Sequence, residues 1–475
     1  EINMVGIKNA FRDMKNRIKK DGNVEILPVT PEKEVMMFDA VNLDTNNTCN
    51  QRCRFCFTDF SNGKTNMDVE TFKSVLKVLP YVKDYAGGGY GFYFSCIYEP
   101  TINPNFLKYL SLLPPVGKDK CFLTTNLARP MTKEFIAGMI SSNVHLINIS
   151  IESLNEERFE YITQNKKFNA FKNNLQLLEE AINENEDNPK FRFITILLKE
   201  NKDEIVDLIE YCHTHFPLES YEVRTPYINY YQNMEWNKKQ FMTRDETQAI
   251  ISQIESLDYH VDMIIESVED LERLYENDAV QNKGDGDNDI YTEASKKIRE
   301  AEDHEYLFLR ITPYGTCIDK MTNDPEDIPL ENAEDYFRQK LFDLYENKAN
   351  AAYCRNFENK DEIEGSSFVM MDRLVENDAI LELNGWCCPD RKVDINKLII
   401  RFTGIDGDVH YCHASTKARP DADEFKQKEE GWCGGYSTYI AKSKLKSKNY
   451  MVDFLYEDYS GNAICYRWEY SIQLN

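Results

Sequence analysis

Three cysteines within one short segment, Cys49, Cys53 and Cys56, constrain this chain more than any other feature of its sequence. The residues between them are mainly polar, which indicates a loop. Thiolates are the ligands that hold iron–sulfur clusters, and a [4Fe–4S] cluster is normally bound by four of them. With three protein ligands, one iron keeps an open coordination position, as the metal of a catalytic zinc site does. The segment therefore predicts a [4Fe–4S] cluster whose open iron can bind a substrate or cofactor.

Two other interpretations of these cysteines have less support. A structural zinc site usually has a second cysteine pair roughly fifteen to twenty residues after the first, whereas the next cysteines, Cys96 and Cys121, stand singly. Unligated core cysteines would lie in an apolar segment, whereas this segment is polar and loop-like. The spacing therefore favours a cluster.

The pattern C-x3-C-x2-C has Phe55 before its last cysteine and follows a strand-like run over 41–43. It resembles the signature of the radical S-adenosylmethionine (radical SAM) superfamily. The resemblance implies that the open iron chelates the amino and carboxylate groups of S-adenosyl-L-methionine. It also implies that an electron from the [4Fe–4S] cluster breaks the S–C5′ bond, and that the 5′-deoxyadenosyl radical takes a hydrogen atom from the substrate. A reducing electron donor is then a required partner.

The balance of charge excludes one large class of partner. Lys and Arg total 56 against 81 Asp and Glu, which gives a formal net charge of −25, and such a field repels nucleic acid. No apolar run in the sequence reaches the roughly 18 residues of a membrane span, and no signal peptide is visible. The 13 cysteines are odd in number and scattered, which suits a reducing compartment. We therefore expect a cytoplasmic protein without a nucleic-acid partner or a membrane span.

Apolar runs alternate with helical stretches from Phe38 onwards, which predicts an α/β fold. Six strand–helix units fit the partial (β/α)6 barrel that the resemblance implies, and a long helix is expected over 243–275. From about Asn377, short β-type runs predict a C-terminal antiparallel β-sandwich domain. We expect an N-terminal segment at 1–37, the barrel at 38–235, a bridging region of helices and a β-hairpin at 236–376, and the sandwich at 377–475.

A glutamate follows the second predicted strand. Glu99-Pro100 resembles the end of the family's G-G-E-P segment, although Ile97 and Tyr98 stand where the two glycines usually do. In the family, this glutamate and the strand-end backbone help to receive the methionyl amino group, so the resemblance implies a cofactor-binding role for Glu99. Taken alone, the segment favours a strand ended by proline with a surface glutamate, but its placement after the second strand favours the cofactor-binding role.

Polar residues also end the third and fourth predicted strands. They are Asn126, Ser150 and Glu152, and ligands of α/β barrels collect at the carboxyl ends of parallel strands. The resemblance assigns the same positions to the methionyl or ribose part of S-adenosylmethionine. The alternative for Ser150 is an ordinary helix N-cap.

A second group of cysteines lies in the C-terminal half. A hairpin predicted over 307–318 carries Cys317 and resembles the start of the extensions (SPASM or twitch type) that hold auxiliary clusters, but Cys354 is the only other cysteine before Cys387. The cysteines of the predicted sandwich are expected to be mostly small buried residues and not a metal site. Its Trp386, Trp432 and Tyr436 suggest either a sugar-stacking face or ordinary core.

These features predict a radical SAM enzyme of the oxidoreductase or isomerase type that abstracts a hydrogen atom from its substrate. An appended sandwich suggests a carbohydrate or glycoconjugate, and epimerisation or dehydrogenation as the reaction. Epimerisation needs a hydrogen donor, for which Cys96 or Cys317 is a candidate. The alternatives are a peptide-modifying maturase and a non-catalytic iron–sulfur protein that is structural or senses redox state.

Overall fold

The computed structural model describes residues 27–56, 58, 63–87, 89–94, 97–226, 234–270, 307–319, 325–329, 332–354, 362–365, 367–428, 432–457 and 463–475. Cys96 and most of the predicted segment 1–37 lie outside the described residues. The chain forms two compact units: Met37–Leu341, and the residues up to Met36 together with Phe342–Asn475.

The first unit is built on one ten-stranded sheet. Its strands in chain order are β1 (Ala40–Leu43), β2 (Gly91–Phe94), β3 (Cys121–Thr125), β4 (Leu146–Ser150), β5 (Lys190–Ile196), β6 (Leu218–Arg224), β7 (Val261–Ile264), β8 (Phe308–Ile311), β9 (Thr316–Asp319) and β10 (Pro325–Asp327). Their order in the sheet is β10-β9-β8-β1-β2-β3-β4-β5-β6-β7. Strands β8 and β1 to β7 are parallel, and β9 and β10 are antiparallel. This arrangement confirms the predicted partial barrel of α/β type.

Helices cover one face of this sheet. They are Val69–Val75, Phe106–Leu112, Gly117–Lys120, Lys133–Ile140, Glu156–Thr163, Phe168–Glu184, Ile205–His215, Met234–Gln240 and Arg244–Glu255. The ring of Phe72 lies 5.7 Å from that of Phe94 on β2, and Phe193 on β5 lies 4.9 Å from Phe216. Alternate strand residues therefore point to the helices, and the residues between them point to the opposite face.

One element differs from the sequence-based expectation, and one predicted hairpin is found. Of the predicted helix over 243–275, Arg244–Glu255 and residues 268–270 are helical, while β7 lies between them and pairs with β6. Residues 271–275 lie outside the described residues. The hairpin of β8 and β9 is present, and β8 pairs in parallel with β1. Arg310 on β8 holds the buried Asp44 through its Nε at 2.9 Å and its Nη2 at 2.6 Å. This ion pair fixes the hairpin to the strand that precedes the cysteine segment.

The second unit consists of two sheets. The seven-stranded sheet contains Leu27–Val29, Tyr353–Cys354, Glu362–Glu364, Asp394–Gly404, Val409–His413, Asn449–Glu457 and Ala463–Gln473, and the five-stranded sheet contains Glu32–Lys33, Ser367–Glu376, Ile380–Pro389, Ser415–Ala418 and Gly434–Ala441. Its helix is Pro420–Lys426, while Ala333–Ala352 runs from the first unit into the second. Leu383 from one sheet and Phe402 and Phe454 from the other share one hydrophobic cluster. The predicted β-sandwich is therefore confirmed.

The sandwich includes strands outside the predicted range 377–475. Ser367–Glu376 pairs with Ile380–Pro389, and Leu27–Val29 and Glu32–Lys33 add parallel edge strands. The division of the chain into four segments stays a prediction. Trp386 and Tyr436, which suggested a sugar-stacking face, are only 7% and 3% exposed and lie in hydrophobic clusters. No described helix is both long and apolar enough to cross a membrane.

Candidate active site

The residues that the sequence predicts for the site collect at one edge of the ten-stranded sheet. The cysteine segment follows β1, Glu99 lies beyond the end of β2, and Asn126 follows β3 directly. Ser150 is the last residue of β4, and Glu152 comes shortly after it. Because β1 to β4 are parallel, their carboxyl ends lie at the same edge, where α/β barrels bind their ligands.

The three cysteine thiols are free and half-buried in one loop. The Gln51 N–H points to Cys49 Sγ at 3.4 Å, and the Thr58 N–H points to Cys56 Sγ at 3.4 Å. Cys53 Sγ donates to Gln51 Oε1 at 3.3 Å. Backbone N–H groups directed at cysteine sulfurs stabilise the negative charge of thiolates that bind iron.

Burial and nearby carboxylates raise the pKa values of Cys49 and Cys53, which favours their protonated form when no metal is bound. Burial, and then the charge of Glu99, raise the pKa of Cys49 to about 12. The pKa of Cys53 is raised by burial and then by Cys49 and Glu152. A bound metal cation reverses this balance, because a coordinating thiol is deprotonated outright. Metal binding at this loop must therefore release protons.

The loop fits an iron–sulfur cluster better than a single metal ion. Within the described parts of the chain, no three His, Cys, Asp or Glu side chains converge to hold one ion. In a [4Fe–4S] cluster, each cysteine sulfur binds a different iron, so the sulfurs need not converge on a point. A donor set of thiols alone, with N–H groups directed at two of them, is the set that such clusters use.

Glu99 is a buried carboxylate, only 2% exposed, and not a surface residue. Its Oε1 accepts from the Thr101 N–H at 3.1 Å, the Thr101 hydroxyl at 2.6 Å and the Thr125 hydroxyl at 2.7 Å. Its Oε2 accepts from the Asn126 N–H at 2.7 Å. Burial raises the pKa of Glu99, and these donors partly offset the effect. The carboxylate ties the end of β3 to the segment after β2.

Asn126 connects β3 to the cysteine loop. Its Nδ2 donates to Asn50 Oδ1 at 2.9 Å and lies 3.5 Å from Cys49 Sγ, and its Oδ1 accepts from the Ala128 N–H at 3.0 Å. The next residue, Leu127, is buried with φ at +51°. A non-glycine residue in the left-handed region costs energy that the surrounding structure must offset. The chain is thus bent sharply where Asn126 meets the first cysteine.

Ser150 and Glu152 have different surroundings. The Ser150 hydroxyl makes no hydrogen bond with any residue that the structure describes, whereas Glu152 is buried and accepts from the Ile196 N–H at 3.0 Å. Burial raises the pKa of Glu152 to about 8, although the Ile196 N–H and the charge of Arg224 lower it. Both residues lie at the predicted edge, where Ser150 offers a hydroxyl and Glu152 an acceptor.

The part of the chain that carries this edge of the sheet is similar to a known protein family. Residues 44–212 match the family model of the Radical SAM superfamily. This part of the chain is a radical SAM domain. The family uses a [4Fe–4S] cluster and S-adenosylmethionine, which are therefore the cofactors of the domain. No curated protein sequence matches the chain.

Three solved structures resemble the chain only weakly. SuiB of Streptococcus suis bound to precursor peptide SuiA has 14% identity and a TM-score of 0.42, covering 66% of this chain and 70% of that chain. SuiB bound to S-adenosylmethionine has 12% identity and a TM-score of 0.43, covering 70% and 75%. The anSMEcpe structure with bound AdoMet and Cp18Cys peptide has 15% identity and a TM-score of 0.33, covering 47% and 63%. At these TM-scores, nothing about function follows from the likeness.

The radical SAM domain holds its cysteine loop through residues that the sequence did not single out. Asn165 Nδ2 donates to the Asn50 carbonyl at 3.3 Å, and Asn237 Nδ2 donates to the Phe55 carbonyl at 3.1 Å. Asn165 and Asn50 are 115 residues apart in the sequence, and Asn237 and Phe55 are 182 residues apart. No local pattern marks such contacts, because they depend on how the strands are ordered in the sheet.

The inner face of the domain, opposite the helices, carries a polar network. The Tyr93 hydroxyl lies 2.7 Å from Thr124 Oγ1, to which Asn148 Nδ2 donates at 3.2 Å. Asn148 is 5% exposed, and its Oδ1 has no hydrogen-bond partner among the described residues. A buried acceptor of this kind is costly unless a ligand or water donates to it.

Charged residues continue this inner face on β5 and β6. Arg192 donates from Nε to Ser220 Oγ at 2.9 Å and lies 3.5 Å from Glu222 Oε2. Arg224 Nε lies 2.8 Å from Glu222 Oε1. Arg224 therefore forms a salt bridge on this face. The inner face offers charged and neutral hydrogen-bonding groups and not an apolar wall.

Cys317 does not lie on the inner face. It pairs in register with Ile311, whereas Arg310 pairs with Asn42 on the inner side. The thiol is fully buried and contacts Tyr336 of the helix Ala333–Ala352. Cys317 is thus poorly placed to give a hydrogen atom to a substrate on the inner face.

Proposed function

We propose that Cys49, Cys53 and Cys56 bind the [4Fe–4S] cluster of this radical SAM domain. Three free thiols in one loop, with N–H donors directed at two of the sulfurs, support this assignment. When bound, the cluster and S-adenosylmethionine supply a 5′-deoxyadenosyl radical. The loop holds the three sulfurs and leaves one iron without a cysteine ligand.

We further propose roles for the four polar residues at the same edge. Asn126 holds the first cysteine and can contact the methionyl group of S-adenosylmethionine, since its Nδ2 already reaches Cys49 Sγ. The Ser150 hydroxyl and the Glu152 carboxyl are a donor and an acceptor for the ribose or methionyl groups. The oxygens of Glu99 already accept four hydrogen bonds, so Glu99 binds the cofactor mainly by positioning Asn126 and the adjoining backbone.

The substrate in this proposal is polar and gives up a hydrogen atom. A carbohydrate or glycoconjugate fits, because its hydroxyl groups can donate to Asn148 Oδ1 and accept from the arginines of the inner face. Epimerisation and dehydrogenation, an isomerase and an oxidoreductase reaction, both begin with this step. A peptide is the second candidate, and an auxiliary cluster at Cys317 and Cys354 would favour it. Oxygen-sensitive thiolates favour a cytoplasmic location.

The proposal is tested by anaerobic reconstitution with iron and sulfide, followed by S-adenosylmethionine and a chemical reductant. Formation of 5′-deoxyadenosine is expected without added substrate at a low rate, and faster with a substrate from a panel of glycosides and peptides. With a deuterated substrate, deuterium is expected in 5′-deoxyadenosine. Bound cluster without any 5′-deoxyadenosine would instead support the non-catalytic iron–sulfur protein.

A further inference from the structure

The cysteine loop is attached to the end of one helix. The Arg52 N–H donates to the Thr163 carbonyl at 3.0 Å, and the Arg54 N–H donates to the Ile162 carbonyl at 2.9 Å. The helix Glu156–Thr163 ends here. The last carbonyls of a helix have no partner within the helix and must find donors elsewhere. Two backbone N–H groups of the cysteine loop therefore supply the hydrogen-bond donors that the carbonyls at this helix end need.

The side chain of Arg54 makes the same connection. Its Nε donates to the Tyr161 carbonyl at 2.8 Å, and its guanidinium lies 4.2 Å from the centre of the Tyr161 ring. A cation at the carboxyl end of a helix is favoured by the partial negative charge there, and a guanidinium over a tyrosine ring adds attraction. Arg54 therefore has three separate contacts with one helical turn, one of them through its backbone.

The helix end itself is fixed. Gln164, which follows the helix, has φ at +49°, and the next residue, Asn165, donates to the Asn50 carbonyl at 3.3 Å. The helix also bears Arg158, which forms ion pairs with Asp203 at 3.1 Å and Glu204 at 2.9 Å; such partly exposed pairs contribute little to stability, so the helix end is fixed mainly by Gln164 and Asn165. The carbonyls that hold the loop thus belong to an anchored element and not to a free end.

We propose that Arg54 is a positioning residue that fixes the segment between the second and third cysteines to this helix, and so controls how firmly the cluster is retained. The inference rests on the proposed ligands Cys49, Cys53 and Cys56. Three sulfurs bind a cluster more tightly when the loop already holds them in place, because less ordering of the chain is needed on binding. Each lost contact between loop and helix raises the entropy that the loop must give up on binding.

The test compares Arg54→Ala with Arg158→Ala. The second variant removes an arginine of the helix Glu156–Thr163 but none of the contacts between this helix and the cysteine loop. Both variants and the wild type are reconstituted anaerobically, and the release of iron to a chelator is followed optically. Loss of a hydrogen bond worth about 1 kcal/mol predicts roughly fivefold faster release from Arg54→Ala. Arg158→Ala is expected to match the wild type. Arg54→Lys, which keeps the cation over the ring, is expected to be intermediate.

A spectroscopic readout separates positioning from general stability. The electron paramagnetic resonance signal of the reduced cluster is expected to broaden in Arg54→Ala and not in Arg158→Ala, while the melting temperatures of the metal-free proteins stay alike. Equal release rates for Arg54→Ala and the wild type would overturn the inference, and so would equal acceleration by both alanine variants. A wild type that binds no iron would instead contradict the proposed cysteine ligands.

Discussion

Glu152→Gln should stabilise the metal-free protein at high pH, because it removes a buried carboxyl with a raised pKa. Glu152 is 4% exposed, and one of its oxygens accepts from the Ile196 N–H at 3.0 Å. Glutamine has the same shape and can keep this hydrogen bond through its amide oxygen. The substitution therefore removes the ionisable group, near Arg224 and Cys53, with little change in packing.

The expected magnitude follows from the shift in pKa. Burial raises the pKa of Glu152 from 4.5 to about 8, so the folded protein binds this proton more tightly than the unfolded chain does. Stability contributed by the group is then full below pH 4.5 and falls as pH rises towards 8. At about 1.4 kcal/mol for each pKa unit, the loss reaches roughly 5 kcal/mol as an upper bound. Glu152→Gln does not suffer this loss.

Two measurements check this prediction. Difference infrared spectra of wild type against Glu152→Gln should show a protonated carboxyl band that disappears near pH 8. The melting temperature of the variant should equal that of the wild type near pH 4 and exceed it by at most roughly 10 to 20 °C near pH 9, at roughly 2 to 4 °C per kcal/mol. A difference between the two proteins that does not change with pH would refute the reasoning, as would a carboxyl band that titrates near its ordinary value.

Three further predictions follow from single contacts. Because the pKa of Cys49 is raised to about 12, the rate of cluster assembly should increase steadily from pH 7 to pH 9, measured as iron bound per chain over time; a rate that falls with pH would contradict this. Arg310→Met leaves the buried Asp44 without its partner and should cost about 3 kcal/mol in chemical denaturation, whereas the double variant with Asp44→Asn should recover most of the loss. Asn148→Leu should raise the KM for substrate at least tenfold without changing the affinity for S-adenosylmethionine, measured by calorimetry; unchanged KM would remove Asn148 from the substrate site.

The sequence identified the parts of the site that depend on local spacing. Cys49, Cys53 and Cys56 stand out because ligands of one cluster can lie in one loop, and Asn126 and Glu152 stand out because they follow strands. The contacts of Arg54 and Asn165 could not be predicted in this way. They join the loop to a helix more than a hundred residues later, which only the packing of the sheet brings near.

The fold shows the same division. Strands β1 to β6 alternate with helices, so each was visible as an apolar run with helical stretches between. Strand β7 is a short edge strand that follows a helix with a capping box at Thr243, and the sequence predicts one continuous helix over both elements. The parallel pairing of β8 with β1 joins residues about 270 apart, and nothing in either strand specifies its partner.

The central claim is that three cysteines hold a cluster that cleaves S-adenosylmethionine. The most direct measurement is the iron and sulfide content of each protein together with its formation of 5′-deoxyadenosine. The wild type is compared with the triple variant Cys49→Ala/Cys53→Ala/Cys56→Ala, and both are prepared together without oxygen. Cys465→Ala in the other unit serves as the control. We predict about four irons per chain and 5′-deoxyadenosine from the wild type and the control, and neither from the triple variant. A triple variant that still binds iron and forms 5′-deoxyadenosine would contradict the account.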